Sequence, residues 1–273
     1  MDSYQYRFLV DQSQQDILLA FLSTLDFDAF EEKEGEILAF CPADHATPEL
    51  EAHLGNLLSQ VAFKYERQLI PHQNWNAVWE ENFTPIIVDK FCGIRADFHP
   101  SISNVKHEIR INPKMAFGTG HHATTRMMIQ MMKDLPLQKS KVLDFGSGTG
   151  ILAILAAKMG ALLIDAVDIE KPAYENAIEN CQLNDVDVVQ VYLGGLDAIL
   201  DSGYDVILAN INRNVILDSL KTLHNKLKRS GILLISGILQ EDEELVLNSA
   251  KTVGFTIDEK KRLDKWSCIS LIS

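Results

Sequence analysis

The stretch from Lys141 to Glu170 constrains the fold of this chain more than any other part of it. An apolar strand leads through Asp144 into three glycines at alternate positions, and an alanine- and leucine-rich helix follows. A second apolar run then ends at Asp168. Because glycine has no Cβ, the backbone can turn tightly at this point and approach a ligand closely. The helix that begins at the turn points free N–H groups at the same place.

A carboxylate roughly 20 residues beyond the turn is placed to accept hydrogen bonds from a ribose diol. We therefore predict a βαβ unit in which Gly146, Gly148 and Asp168 bind a nucleoside. A dinucleotide fingerprint reads GxGxxG, but here Ile151 stands at the third glycine position and the glycines read GxGxG. With Asp144 before the turn, the pattern resembles the first motif of the seven-stranded methyltransferases that use S-adenosylmethionine.

The bulk properties favour a globular cytoplasmic enzyme. The 273 residues, 47% of them hydrophobic, allow one large domain or a large and a small one. No run approaches the roughly 18 apolar residues that a membrane span needs, and the first residues do not resemble a signal peptide. The four cysteines are scattered without a CxxC pair, which favours reduced thiols over a disulfide framework or a metal site.

The net charge of −13 disfavours direct binding of nucleic acid, because phosphate contacts need a basic face. A basic protein substrate would be attracted by the same charge. An equally good interpretation of the negative net charge is that it serves only solubility. We expect a monomer that binds neither nucleic acid nor a membrane.

The first seventy residues form a small separate unit. Strand-like and helix-like segments follow in the order βαββαβ, which predicts a ferredoxin-like α+β domain over residues 1–70. Residues 71–85 are a linker in which Trp75 and Trp79, four positions apart, would share one face of a helix. These two tryptophans either staple the domains together or line a substrate cleft.

Residues 86–273 show three short strand-like runs and then a regular alternation of strands and helices. Alternation of this kind predicts a mostly parallel sheet with helices on both faces. Two late strands around a short turn at Asp264 predict an antiparallel hairpin at one edge. We therefore predict an α/β Rossmann-like catalytic domain of the class I, seven-stranded methyltransferase type over these residues.

The segment from Ala116 to Thr125 reads AFGTGHHATT and precedes a helix that we expect over Arg126–Lys133. Its glycines permit a tight turn over a ligand, and Thr124 or Thr125 can cap the helix. The adjacent histidines would point apart on a helix and have no carboxylate near them in sequence, so we expect no metal here.

The segment ANINRNVI places Asn210 at the end of another strand of the sheet. Ligands of open α/β sheets lie beyond the carboxyl ends of the strands, so Asn210 is expected near the sulfonium of the cofactor. Its side-chain oxygen can accept a hydrogen bond from an amine and orient the lone pair towards a methyl group. The alternative is that Asn210 only caps the next helix. The sequence shows no general base, and water is the expected proton acceptor.

Taken together, WNAVWEENFTPI, NPKMAFGTGHHATT, VLDFGSGTGILAI, ANINRNVI and SGIL occur in this order along nearly the whole chain. The set closely resembles the PrmA family, the methyltransferases of large-subunit ribosomal protein eleven. The resemblance implies transfer of methyl groups from S-adenosylmethionine to lysine side chains and the N-terminal amine of that protein, up to trimethylation. It also implies that the N-terminal domain recognises the substrate and that a flexible linker positions it.

The resemblance also implies which residues bind the cofactor. The positions that match the family motifs are Thr125, Gly146, Asp168 and Asn210. The segment that matches the cofactor-covering loop contains Phe117, Gly118 and Thr119. Two alternatives to this function stay open: lysine methylation of another protein, and a nicotinamide-dependent oxidoreductase or non-catalytic nucleotide-binding module.

Overall fold

A computed structural model describes residues 2–70, 83–112 and 118–273. The chain separates into two compact units, with the division after Ala77. Trp75, Trp79 and most of the predicted linker lie outside the described residues. Within the described ranges, no helix is long and apolar enough to cross a membrane.

The N-terminal unit contains a four-stranded antiparallel sheet in the order β2-β3-β1-β4. Its elements are β1 (Ser3–Val10), α1 (Gln15–Leu22), β2 (Ala29–Lys33), β3 (Glu36–Pro42), α2 (Pro48–Leu57) and β4 (Phe63–Ile70). Along β1, buried Tyr6 and Phe8 alternate with exposed Arg7 and Leu9, so one face of the sheet forms the core. The βαββαβ order is the one that the sequence predicts.

The C-terminal unit contains a seven-stranded sheet in the order β10-β9-β8-β11-β12-β14-β13. Its strands are β8 (Lys141–Phe145), β9 (Leu163–Asp168), β10 (Val189–Leu193), β11 (Tyr204–Asn210), β12 (Leu227–Leu239), β13 (Thr256–Leu263) and β14 (Trp266–Ile272). The first five strands of this order are parallel, and β14 is antiparallel to both of its neighbours. The predicted seven-stranded methyltransferase fold and its edge hairpin are confirmed.

Helices cover both faces of this sheet. They are α3 (Ala123–Met132), α4 (Ile151–Lys158), α5 (Lys171–Leu183), α6 (Arg213–Lys226) and α7 (Glu243–Val253). Neighbouring residues of β8 point to opposite faces: Val142 packs in a core with residues of α3, α4 and α5, whereas Leu143 packs with residues of α6 and α7. A separate three-stranded sheet contains β5 (Ile86–Val88), β6 (Cys92–Ala96) and β7 (His107–Ile111).

Candidate functional site

A cavity of about 780 Å³ opens at the carboxyl ends of the parallel strands. Gly146 after β8, Asp168 at the end of β9 and Asn210 at the end of β11 all line it, and so does Gly148. These four residues come from three separate segments of the chain, and parallel strands bring their carboxyl ends to one edge. The structure therefore brings together four of the residues that we predicted for the cofactor site.

The turn after β8 has positive φ angles at its three glycines. Gly146, Gly148 and Gly150 have φ angles of 75°, 53° and 76°, a region that other residues rarely adopt. A Cβ on Gly146 would also overlap the Cγ2 atom of Ile211. The turn is fixed to β9, since the N–H of Gly146 donates to the carbonyl of Val167 at 2.9 Å.

Asp168 connects the glycine turn to the next helix. Its Oδ2 accepts a hydrogen bond from the N–H of Gly148 at 2.8 Å, and its Oδ1 accepts one from the N–H of Glu170 at 3.0 Å. Each carboxylate oxygen has a second lone pair that can accept from a ligand hydroxyl. Asp168 can therefore hold the turn in shape and bind a ribose at the same time.

Asn210 is 9% exposed, and its Oδ1 is buried without a hydrogen-bond partner among the described residues. Its Nδ2 donates to the Thr125 hydroxyl at 3.2 Å. Thr125 is fully buried in α3 and does not line the cavity, so it acts through Asn210. The alternative that Asn210 caps the next helix is wrong: Asn212 is the N-cap of α6, and its Oδ1 accepts from the N–H of Val215.

The predicted cap of α3 is also wrong. The helix begins at Ala123, and His122 is its N-cap, with a side chain that accepts from the N–H of Thr124. Thr124 and Thr125 are therefore inside the first turn and fully buried. A sequence argument restricted to hydroxyl and carboxyl caps overlooks an imidazole, whose Nδ1 can accept the same hydrogen bond.

The predicted covering loop is only partly described. Phe117 lies outside the described residues. Gly118 and Thr119 do not line the cavity, but the Gly118 carbonyl accepts from the Thr149 hydroxyl at 2.8 Å. Gly118 is therefore held directly against the glycine turn.

Asp144 lies beneath the turn and does not line the cavity. Its Oδ2 accepts from the N–H of Ala153 at 3.1 Å, and its Oδ1 has no partner among the described residues. Burial raises the pKa of Asp144 to about 7, and the charge of Asp168 acts in the same direction. The carboxyl thus supports the start of α4 rather than contacting the ligand.

Sequence reasoning missed an asparagine ladder along α5, formed by Asn176, Asn180 and the C-cap residue Asn184. Asn180 accepts from the N–H of Asn112 at 2.7 Å and donates to the carbonyl of Thr149 at 2.9 Å. The spacing of four residues puts the three amides on one helix face and is the signal that could have revealed the ladder. It joins the glycine turn to the chain that follows β7.

Sequence reasoning also missed two aromatic residues that line the cavity, His122 and Trp266. Their ring centroids are 4.9 Å apart in an edge-to-face arrangement. Trp266 begins β14, and an antiparallel strand brings its first residue to the edge where parallel strands end. Within the described part of the chain, no cluster of His, Cys, Asp or Glu could hold a metal ion.

Comparison with known proteins identifies the family of this chain. The family model for ribosomal protein L11 methyltransferase (PrmA) matches residues 11–272. A ribosomal protein L11 methyltransferase of Porphyromonas gingivalis is 37% identical over 94% of this chain and 90% of its own. One from Chlorobaculum tepidum is 36% identical over 95% of this chain and 92% of its own.

A solved structure supports the same assignment. The crystal structure of a ribosomal protein L11 methylase from Lactobacillus delbrueckii subsp. bulgaricus has a TM-score of 0.64 and 29% identity to this chain. The match covers 69% of this chain and 98% of the other. The sheet order, the glycine turn and these matches agree: the chain belongs to the ribosomal protein L11 methyltransferase (PrmA) family, whose members are S-adenosylmethionine-dependent enzymes.

Proposed function

We propose that this chain transfers methyl groups from S-adenosylmethionine to lysine side chains and the N-terminal amine of ribosomal protein L11. Membership of the family supports the reaction class and the substrate. The observation that carries the proposal is the buried, unpartnered Oδ1 of Asn210, a hydrogen-bond acceptor on a residue that lines the cavity. A buried polar atom without a partner needs an explanation, and a ligand that donates to it is the simplest one.

The residues at the carboxyl edge fit S-adenosylmethionine. Asp168 can accept from the ribose hydroxyls, and the N–H groups at the start of α4 can face the amino-acid carboxylate. When bound, S-adenosylmethionine supplies a methyl group on a sulfonium sulfur, and transfer to an amine nitrogen leaves S-adenosylhomocysteine. Thr125 would hold Asn210 in the orientation that it has here.

Asn210 is proposed to orient the attacking amine. When the amine donates an N–H to Oδ1, the direction of its nitrogen lone pair is fixed. This alignment favours in-line displacement at the methyl group, which is a proximity and orientation effect. A lysine amine has an ordinary pKa of about 10.4 and must lose its proton before it can attack. Among the described residues on the Trp266 side of Asn210, none that lines the cavity is acidic. No carboxylate among these residues holds the amine as an ammonium ion by a salt bridge, and water takes the proton.

The N-terminal unit is proposed to recognise the protein substrate, as the family resemblance implies. The net charge of −13 suits a basic ribosomal protein. A cytoplasmic location follows from the proposed substrate, and the monomeric state stays a prediction.

Methyl-labelled S-adenosylmethionine tests the acceptor directly. The full chain is incubated with purified ribosomal protein L11 and, separately, with a whole-cell lysate, and mass spectrometry identifies the labelled proteins. We expect label on purified L11 and one dominant labelled band in the lysate. Label on a different protein, with none on purified L11, would contradict the proposed substrate but keep the reaction class.

Asn210→Ala tests the proposed role of the amide. We expect the methylation rate at saturating substrate to fall about 100-fold, the scale that loss of positioning gives, with cofactor affinity changed much less. The control is Asn214→Ala, an exposed asparagine in the first turn of α6, the helix that follows Asn210. A variant at Asn210 that methylates at the wild-type rate would sink this role.

A further inference from the structure

The cavity extends further along the sheet than the proposed cofactor site requires. Asp168 is at the end of β9, the glycine turn follows β8, and Asn210 ends β11. Beyond Asn210 the cavity continues past Gly237 of β12 to Trp266 of β14. Since neighbouring strands are about 4.8 Å apart, this extension is roughly 10 Å long.

The residues of this extension share one face of the sheet. Asn210 contacts Thr125 of α3. Cys268, two positions after Trp266 on β14, contacts Met128 of the same helix at 3.6 Å. Residues two apart on a strand point to the same side, so Trp266 is on the α3 side together with His122, the N-cap of that helix. Two aromatic rings therefore form the end wall of the cavity.

The His122 ring is arranged as a wall rather than as a base. Its Nδ1 accepts from the N–H of Thr124 and lies 2.7 Å from the Thr124 hydroxyl. In the neutral ring the proton is then on Nε2, the tautomer that these hydrogen bonds select. The Nδ1 lone pair is therefore directed at the Thr124 N–H, and the ring packs with its edge against Trp266.

The Trp266 ring already has an ammonium beside it. The Nζ of Lys265 lies 5.6 Å from the centroid of the Trp266 ring, within the range of a cation–π interaction. Tryptophan is the aromatic side chain that attracts cations best, and aromatic walls are used to recognise methylated ammonium groups. A methylated ammonium cannot donate enough hydrogen bonds to a carboxylate, so an aromatic ring suits it better.

We propose that Trp266, with His122 packed on its edge, is the specificity-determining residue that holds the amine acceptor after each methyl transfer. This inference rests on the proposed function. The partly methylated ammonium would stay against the ring while S-adenosylhomocysteine leaves and a new S-adenosylmethionine binds. The ammonium would then lose its proton to water, and the neutral amine would take the next methyl group without release of the protein substrate. Trp266 therefore sets how many methyl groups one binding event delivers.

The test compares Trp266→Leu with Trp266→Phe, which keeps an aromatic ring. Purified ribosomal protein L11 and S-adenosylmethionine are the substrates, and intact-mass and peptide mass spectrometry give the distribution of mono-, di- and trimethylated products. Trp266→Leu is expected to raise KM for the protein substrate roughly 5-fold to 20-fold and to accumulate monomethylated and dimethylated products. Trp266→Phe is expected to stay within about 2-fold of the wild type and to restore trimethylation.

Ile169→Ala is the matched variant at the other end of the cavity, where Ile169 is 70% exposed. We expect it to weaken binding of S-adenosylmethionine in calorimetry, while the product distribution at saturating S-adenosylmethionine stays that of the wild type. A thermal melt of each variant shows whether it is folded. A folded Trp266→Leu variant with wild-type KM and product distribution would overturn the inference, although methylation of L11 by the wild type would still support the proposed function.

A binding measurement separates the two proposals if the wild type does not methylate L11. The chain has three tryptophans, and fluorine NMR of 5-fluorotryptophan-labelled protein gives one signal for each, with Trp266→Phe identifying that of Trp266. Titration with Nα-acetyl-trimethyllysine amide in the presence of S-adenosylhomocysteine is expected to shift the Trp266 signal. No shift of that signal at saturating ligand would overturn the inference.

Discussion

Two buried aspartates of the seven-stranded sheet, one register position apart, have different partners towards its two ends. Asp144 and Asp165 lie on neighbouring strands and are 1% and 4% exposed. Asp165 accepts a 2.6 Å hydrogen bond from the hydroxyl of Tyr204, the first residue of β11 at the amino-terminal end. At the carboxyl end, Asp144 accepts only from the N–H of Ala153, and its second oxygen has no partner among the described residues.

The contrast extends to other groups at the same two ends. At the amino-terminal end, Asp205 accepts from the N–H of Lys141 at 2.7 Å and pairs with Lys228 at 2.8 Å. At the carboxyl end, the Oδ1 of Asn210 is without a partner among the residues described. Buried polar groups normally have partners. The amino-terminal end of the sheet therefore contributes stability. The carboxyl end keeps polar groups without protein partners at a cost in stability, and one of them, Asn210, is on the wall of the cavity.

Among the changes that test this comparison, glycine substitutions are expected to have the largest effect on the free energy of unfolding. Gly237 at the carboxyl end and Gly203 at the amino end have φ angles of 88° and 75°. A Cβ on Gly237 would overlap the carbonyl oxygen of Ile211, whereas a Cβ on Gly203 meets only Lys228 at 4.0 Å. We expect Gly237→Ala to cost about 3 kcal/mol of unfolding free energy, and Gly203→Ala about 1 kcal/mol.

Urea denaturation measures both glycine variants, and calorimetry with S-adenosylmethionine shows which of them loses the ligand. Gly237→Ala is expected to lose ligand affinity because its backbone must move at the cavity wall. Equal losses of stability for the two variants would mean that strain from the positive φ angle alone explains both.

The substitution Asp144→Asn tests the comparison through the pH dependence of stability. Because the pKa of Asp144 is raised to about 7, the folded state favours the neutral carboxyl. The wild type therefore loses stability as pH rises from the ordinary aspartate pKa near 4 through about 7. We expect Asp144→Asn to be about 2 kcal/mol more stable than the wild type at pH 8, with the difference vanishing near pH 4.

Tyr204→Phe is the matched change at the opposite end of the sheet. It removes a hydrogen bond from buried Asp165 and should destabilise the chain by about 1 to 2 kcal/mol at pH 7. Urea denaturation between pH 4 and pH 8 measures both variants. If Asp144→Asn follows the pH dependence of the wild type, Asp144 does not titrate in this range.

The substitution Glu243→Gln is expected to have the smallest effect on the free energy of unfolding. Glu243 is 5% exposed at the start of α7, forms a 2.6 Å ion pair with Arg262 and accepts from the hydroxyl of Ser267. The Arg262 guanidinium lowers the pKa of Glu243 to about 2, with burial opposing the shift. The ion pair therefore stabilises the fold above the ordinary glutamate pKa near 4.3, and this contribution is lost as pH falls towards 2.

At pH 7 we expect Glu243→Gln to cost about 1 kcal/mol of unfolding free energy, because Arg262 is half-exposed and the pair is screened by solvent. The thermal midpoints of variant and wild type should converge near pH 2. A difference that stays constant from pH 7 to pH 2 would show that packing, rather than charge, explains the loss.

The sequence allowed the fold and the centre of the site to be predicted because both depend on local patterns. The alternation of strands and helices fixes a parallel sheet, and parallel strands place Gly146, Asp168 and Asn210 at one edge. Trp266 and His122 could not be predicted in the same way. Trp266 lies at the cavity because β14 runs antiparallel to β12, which puts its first residue at the carboxyl edge. His122 lies there because α3 begins three residues earlier than expected and His122 is its N-cap.

The network around the glycine turn also depends on tertiary contacts. Asn180 bonds to Asn112 and Thr149, which are 68 and 31 residues away in sequence. A single sequence shows the regular spacing of asparagines on α5 but not which backbone groups they meet. Buried side chains with distant backbone partners are therefore the part of a site that sequence patterns predict least well.

Calorimetric titration with S-adenosylmethionine tests the central claim most directly, namely that the carboxyl edge is the ligand-binding end of the sheet. We expect the wild type to bind S-adenosylmethionine and not NAD, and Asp168→Ala to bind at least roughly tenfold more weakly, the loss that a charge-assisted hydrogen bond gives. The control is Asp187→Ala, an exposed aspartate. Equal affinity of the wild type and a folded Asp168→Ala variant, or binding of NAD as tight as that of S-adenosylmethionine, would contradict the claim.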